Sequence, residues 1–210
     1  MALSGAAKLA LAGGVLGTGS AVAGYKAFYS SPSNPEKVKV LGKLTESKFT
    51  LLGKGEKSKW LEILKKYKDV PEEEKFSNLN ISSEANTDND VTALQGRCDE
   101  VVNSEFSESL YSAAKRWCVE TQTLKNRLSL MGVSTLDQSG NQTEWEKKIV
   151  SYTGEEFPDV KSDWTSAGDS KDKKVEAVKK GCKSLVDSES IKSYDSDFED
   201  KYSKVVKWCS

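Results

Sequence analysis

The residues in this chain best suited to chemistry are four cysteines, Cys98, Cys118, Cys182 and Cys209. Two of them directly follow a tryptophan, as Trp117-Cys118 and Trp208-Cys209, and each tryptophan comes six residues after a tyrosine, Tyr111 and Tyr202. Four thiols support three chemistries. They can form disulfides, pack as reduced apolar side chains in a core, or hold a zinc ion. Zinc sites usually draw on close-spaced ligand pairs such as Cys-x-x-Cys, and none occurs here. In the loop-closure model a Cys98–Cys118 bridge contributes about 3.3 kcal/mol, a Cys182–Cys209 bridge about 3.6, and a crossed Cys98–Cys209 bridge about 4.8. Entropy therefore does not select the local pairing. Duplication favours it, because each half of the chain carries a complete pair, although three connectivities remain formally open.

Other candidate chemistry is thin. The chain has no histidine, which removes a histidine general base, a Ser-His or Cys-His nucleophile and the commonest zinc ligand. The stretch GKGEKS (53–58) resembles a phosphate loop, but Gly53, Lys54 and Gly55 are contiguous where that loop needs four intervening residues. It reads as a loop leading into a helix. Asp195, Asp197 and Glu199 fall at the first, third and fifth positions of a calcium loop, yet Asp200 stands where the turn requires glycine and Val206 where it requires glutamate. They read as an acidic, solvated helix start. PEEEK (71–75) is a charged surface run, and 78–91 is a polar loop in which Asn89 or Asp90 caps the helix that follows. No paired carboxylates recur in both halves. The expectation is no catalytic residue, no metal and no cofactor. Charged residues make up 30% of the chain and the net charge is −1, so no field draws it to nucleic acid.

The elements that must position these cysteines come in two copies. Offset by 85, Thr50, Leu51, Gly55, Trp60 and Tyr67 meet Thr135, Leu136, Gly140, Trp145 and Tyr152. Offset by 84, Val91, Leu94, Cys98, Val101 and Val102 meet Val175, Val178, Cys182, Leu185 and Val186; offset by 91, Tyr111, Trp117 and Cys118 meet Tyr202, Trp208 and Cys209. Blocks that match in order define two tandem modules, 36–118 and 119–210. Within each block the apolar spacing is helical: Trp60, Ile63, Leu64 and Tyr67; Trp145, Ile149 and Tyr152; Val91 to Val102; Phe198, Tyr202, Val205, Val206 and Cys209. The longest stripe, Leu110, Ala114, Trp117, Thr121, Leu124, Leu128 and Met131, predicts one helix through the module junction, stopped at Gly132. KVKVL (37–41) is strand-like, but Val38, Leu41 and Leu44 also fit a helix, which is preferred after the Asn34-Pro35 start. The class is all-α, with about three helices per module. Trp60, Tyr67, Tyr111, Trp117, Trp145, Tyr152, Tyr202 and Trp208 are expected as structural aromatics, with Trp117 and Trp208 packed over the bridges.

The N-terminus has a different character. Leu9 to Tyr25 carries no charge, between Lys8 and Lys26. Three readings compete: a signal peptide cleaved after Ala21-Val22-Ala23, a retained anchor helix with Gly13-x-x-x-Gly17, and a dinucleotide turn beginning Gly17-Thr18-Gly19. The third lacks the last glycine and a preceding strand. Residues 1–29 are accordingly expected as an anchor or signal segment in contact with the membrane, and 30–35 as a Pro-Ser-Asn linker. An exported chain meets oxidising conditions, which favours disulfides over free thiols.

The opening MALSGAAKLA, the Pro-Ser-Asn linker, KWLEILKKY (59–67) and the pair RWC and KWC together resemble large paralogous families of proteins from haemotropic mycoplasmas. The resemblance spans nearly the whole chain through short motifs. It departs at EWEKKIVSY, where Ile149 falls one place later than Ile63 predicts. It implies no enzymatic activity and no cofactor, and it implies an exported or surface-displayed protein that diversifies by duplication. The combined expectation is a non-enzymatic helical repeat protein, tethered to the plasma membrane with its soluble part extracellular, or secreted. It would serve surface interaction or antigenic display towards an unidentified protein partner, the host included. The alternatives are a cytosol-facing membrane scaffold with reduced cysteines and a carboxylate-dependent hydrolase.

Overall fold

The structure is a computed structural model that describes residues 38–81 and 87–210. The expected anchor segment 1–29, the linker 30–35 and the Asn34 cap lie outside the described residues. Among the described residues no helix is long and apolar enough to cross a membrane.

The chain is all-α. Its helices are α1 (Val40–Glu46), α2 (Lys57–Asp69), α3 (Asp88–Asn103), α4 (Glu108–Trp117), α5 (Leu124–Met131), α6 (Gln142–Ile149), α7 (Lys161–Ser166), α8 (Lys171–Val186) and α9 (Phe198–Trp208). Short 3-10 turns at Glu72–Glu74 and Pro158–Val160 follow α2 and precede α7. Extended backbone among the described residues amounts to three isolated antiparallel bridges, Lys39 with Glu105, Leu51 with Val119, and Thr123 with Lys192.

Apolar burial is divided between two clusters. One is built from α1 to α4 and centres on Trp60, Tyr67, Leu94 and Trp117. The other is built from α5, α6, α8 and α9 and centres on Leu124, Trp145, Val178 and Trp208. The hydrogen bonds of the two halves match as well. The Trp60 indole donates to the Gly53 carbonyl (2.9 Å) and the Trp145 indole to that of Asp137 (2.9 Å). Leu52 N donates to Cys118 O (3.0 Å) and Leu136 N to Cys209 O (2.7 Å). Phe106 N donates to Val38 O (2.8 Å), as Ser193 N does to Gln122 O (2.9 Å). These pairs equate α1 with α5, α2 with α6, α3 with α8 and α4 with α9. Each half thus holds four matching helices rather than three, and α7 is an addition to the second.

The helix expected through the junction does not form. α4 ends at Trp117, α5 starts at Leu124, and 119–123 between them is non-helical, with bridges at Val119 and Thr123. Three causes act together. Leu52 N and Thr50 O bond the backbone of Cys118 and Glu120, so those groups are diverted from helical partners. Val119, Thr121 and Thr123 are β-branched and favour extended backbone. The Thr123 hydroxyl then accepts from Asn126 N and caps a new helix. Gly132 ends α5 in the left-handed conformation, φ 70°, as its type predicts.

Two smaller expectations are also corrected. α1 starts at Val40 and buries Val40 and Leu44, while Val38 and Leu41 are exposed, because Lys39 is held in the bridge to Glu105. α3 is capped by Thr87 rather than by Asn89 or Asp90, and Asp90 bonds back to the Thr87 amide to complete a capping box.

Candidate functional site

The best-defined arrangement is a sulfur and aromatic unit that occurs once in each half. The sulfurs of Cys98 and Cys118 lie 2.08 Å apart, and those of Cys182 and Cys209 2.06 Å apart, with Cα separations of 5.4 and 5.6 Å. Each bridge ties the long helix, α3 or α8, to the residue just past the end of α4 or α9. Helical spacing makes this possible. Cys98 sits on the buried stripe of α3, and α4 points its last turn back at that stripe from its Ser107 cap.

Beside each bridge the Trp that precedes the second cysteine is buried edge-on to a tyrosine. Tyr67 and Trp117 have ring centroids 5.1 Å apart at 79°, and Tyr152 and Trp208 5.2 Å apart at 88°. Trp60 and Trp145 are also buried, and Tyr111 is buried on α4 with its hydroxyl donating to Ser47 Oγ (2.8 Å). Its counterpart Tyr202 is only half-buried. The Tyr67 hydroxyl accepts from Phe76 N (2.8 Å). Burial raises the Tyr67 phenol above its ordinary range and pushes that of Tyr152 up to about 12. Apart from the half-buried Tyr202, these rings fill the core.

Accessible polar chemistry gathers instead at the seam between the halves. Arg127 Nη1 donates to Ser47 O (2.7 Å) and its guanidinium lies 4.2 Å over the Phe49 ring. Arg116 Nη2 pairs with Glu74 (2.6 Å), while its Nε donates to Tyr194 O (2.9 Å). Lys66 pairs with Asp195 (3.2 Å), Lys115 with Glu199 (2.8 Å), and the Tyr194 hydroxyl donates to Glu62 (3.0 Å). Burial, helped by the Glu62 carboxylate, pushes the Tyr194 phenol up to about 12. Arg127 Nε and Gln122 Oε1 are buried here without hydrogen-bond partners, a cost to the seam of about 1–3 kcal/mol each. An open cleft of about 430 Å³ runs along it, lined among others by Lys66, Asp69, Glu74, Arg116, Asp195, Asp197 and Lys201.

The carboxylates that resemble a calcium loop are accounted for at this seam. Asp195 faces Lys66, Asp197 pairs with Lys201 (2.7 Å) and Glu199 with Lys115. Asp197 and Glu199 do stand at the exposed start of α9, as cap and first turn. Asp195, before the helix, is mostly covered against Lys66, and both Asp195 and Glu199 reach the first half. The loop at Gly53 leads into α2, and its Lys54 pairs with Asp99 (2.6 Å).

In comparison with known proteins, no family model, no curated protein and no solved structure matches this chain.

Several site residues have no counterpart in the other half, and only the rise in offset from 84 to 91 marks where some of them lie. Tyr194, Asp195 and Ser196 are an insertion. In the first half Phe106 is followed at once by the cap Ser107, whereas in the second Ser193 is separated from the cap Asp197 by those three residues. Through Tyr194 and Asp195 this inserted clasp contacts Glu62, Lys66 and Arg116 of the first half. Trp164 on α7 lies 4.6 Å from the Tyr152 ring and has no partner in the repeat. Rarity is a second hint. The chain has only three arginines, Arg97, Arg116 and Arg127, and each lies over an aromatic ring, those of Phe76, Trp117 and Phe49.

Proposed function

We propose that this chain is a non-enzymatic helical repeat protein that faces the outside of the plasma membrane, tethered through residues 1–29 or secreted, and offers variable polar faces for protein interaction or antigenic display. One observation carries the reading. Between the halves the buried frame is kept, as Trp60/Trp145, Tyr67/Tyr152, Cys98/Cys182, Trp117/Trp208 and Cys118/Cys209, while exposed positions reverse charge, as Lys59/Glu144, Glu62/Lys147 and Asp99/Lys183. A closed frame tolerates surface change because exposed substitutions away from special contacts cost within about 0.5 kcal/mol. Paired cysteines suit an oxidising compartment.

A hydrolytic reading has less support. The charged groups of the seam cleft are largely committed to one another, as Lys66–Asp195, Arg116–Glu74 and Lys201–Asp197, and the chain lacks histidine.

The test is thiol labelling of intact cells that carry the protein, using a membrane-impermeant maleimide with and without reductant. The reading expects cysteine labelling only after reduction, and protease shaving of the intact cells to remove the chain. Labelling of all four cysteines without reductant, or labelling only after lysis, contradicts it.

A further inference from the structure

The seam shows what covers one face of the repeat, and among the described residues nothing takes that place on the equivalent face of the second half. In the first half that face is formed by Glu62 and Lys66 on α2 and Arg116 at the end of α4. The clasp covers it. The Tyr194 hydroxyl donates to Glu62 at 3.0 Å, Asp195 meets Lys66 at 3.2 Å, and Arg116 Nε donates to the Tyr194 carbonyl at 2.9 Å. Matching the halves through Trp60/Trp145 and Trp117/Trp208 puts Lys147, Ser151 and Lys207 at those three positions. Lys207 reproduces Arg116 closely: its Nζ lies 4.4 Å over the Trp208 ring, as the Arg116 guanidinium lies 4.6 Å over Trp117. Lys148 Nζ donates to Lys207 O (3.0 Å) and so holds α6 to the end of α9. Lys147, Ser151 and Lys207 are all exposed. Val150, which caps the end of α6 next to Ser151 and replaces Lys65, is 85% exposed, the highest value among the exposed large apolar side chains of the described residues.

We infer that Lys147, Val150, Ser151 and Lys207 form a docking surface for an extended acidic segment of a partner protein, seated as Tyr194 and Asp195 seat on the first half. The chemistry of the segment follows from the substitutions. Lys207 keeps a donor for a backbone carbonyl, as Arg116 does. Glu62 accepts a hydroxyl, but Lys147 only donates and is charged, so the acceptor that it favours most is a carboxylate. Lys147 also pairs with Glu144 on its own helix (2.7 Å), a surface contact that an incoming carboxylate exchanges at little cost. Ser151 replaces the cation Lys66 and supplies a neutral hydroxyl. Val150 offers apolar area next to Ser151. A second copy of this chain is not the occupant, because its clasp is already engaged with its own first half and presents the neutral Tyr194 where Lys147 favours a carboxylate. The inference rests on the interaction reading for its partner being a protein, but it is decided on purified protein, independently of where the chain sits in the cell.

The test uses the full chain, oxidised and isotopically labelled for amide NMR, titrated with two synthetic peptides. One has the sequence from Ile191 to Phe198; the other is the same peptide with Tyr194→Glu. The surface predicts that the Tyr194→Glu peptide shifts the amides of Lys147, Val150 and Lys207 and binds about tenfold tighter than the unaltered peptide. It further predicts that a Lys147→Glu chain, melting at the same temperature, reverses the preference. Shifts confined to Glu62, Lys66 and Arg116 would mean that the peptide only displaces the clasp, and would overturn the inference. The absence of shifts at Lys147, Val150 and Lys207, or an unreversed preference in the Lys147→Glu chain, would overturn it equally.

Discussion

The ring of Phe157 lies so close to Gly181 that a Cβ on the glycine would stand 2.5 Å from it. In the first half the equivalent residues are Phe76 and Arg97, and the arginine lies over the ring instead, at 5.8 Å. One repeat packs its ring on bare helix backbone and the other uses an arginine as its cover.

Gly181→Ala therefore costs about 1–3 kcal/mol by overpacking, although alanine is the better helix former. Gly96, inside α3, has nothing within 4 Å of the place where a Cβ would stand, and is the matched control. Gly96→Ala adds about 0.5–1 kcal/mol. Urea denaturation of both variants measures the opposite signs, and a stabilised Gly181→Ala protein would contradict the packing described.

Arg127 tests the seam. Arg127→Met keeps most of the apolar stem over Phe49 but removes the charged donor from Ser47 O, and should cost about 1.5–3 kcal/mol. Lys125→Met, two residues earlier and exposed, should change stability by less than about 0.5 kcal/mol. Equal effects in thermal melts would show that the seam adds nothing to stability.

Much of this frame is legible in the sequence and its joints are not, for identifiable reasons. The stripes of Trp60 to Tyr67 and Val91 to Val102 are buried, because a stripe that packs on one core must repeat at helical spacing. The junction misleads for the same reason. Trp117, Thr121 and Leu124 keep helical spacing across a non-helical segment, and only tertiary bonds from Thr50 and Leu52 reveal the break. The α1–α5 equivalence, Val40 with Leu124 and Leu44 with Leu128, rests on small apolar residues too common to stand out. The clasp shows only as extra length, the offset between the halves rising from 84 at Cys98/Cys182 to 91 at Cys118/Cys209, and inserted residues have no counterpart from which their contacts could be read. The shift of Ile149 relative to Ile63 is resolved by position: Ile149 stands in the place of Leu64, and Lys148, half-buried, in that of Ile63. Burial pulls the Lys148 ammonium below its usual range.

Alkaline titration examines the buried phenols. Tyr152 and Tyr194 are pushed from 10.0 up to about 12, chiefly by burial, which disfavours the phenolate. The native state then holds protons that the unfolded chain has released. Stability is fully present below pH 10 and falls as pH rises from about 10 to about 12. Absorbance of phenolate should show these two tyrosines ionising late, and Tyr152→Phe should flatten the decline in stability. A slope unchanged by that substitution would place the cause elsewhere.

Removing one bridge should loosen one half. The double variant Cys182→Ala, Cys209→Ala should lose about 2–5 kcal/mol, with faster amide exchange in α8 and α9 and little change in α3 and α4, because the apolar clusters are separate. Uniform acceleration across both halves would instead show a single cooperative unit. Under graded reductant Cys98–Cys118 should open first, since it borders an open cavity of about 240 Å³ while Cys182 and Cys209 are wholly buried.

Whether each half closes on its own sulfur pair is decided by tryptic mapping of the native protein under non-reducing conditions. Cleavage at Lys115 and Arg116 separates Cys98 from Cys118, and cleavage after Lys183 and Lys207 separates Cys182 from Cys209. Two closed modules yield one linked peptide pair joining Cys98 to Cys118 and another joining Cys182 to Cys209. Four free thiols, or any link between the two halves, would overturn the doubled frame.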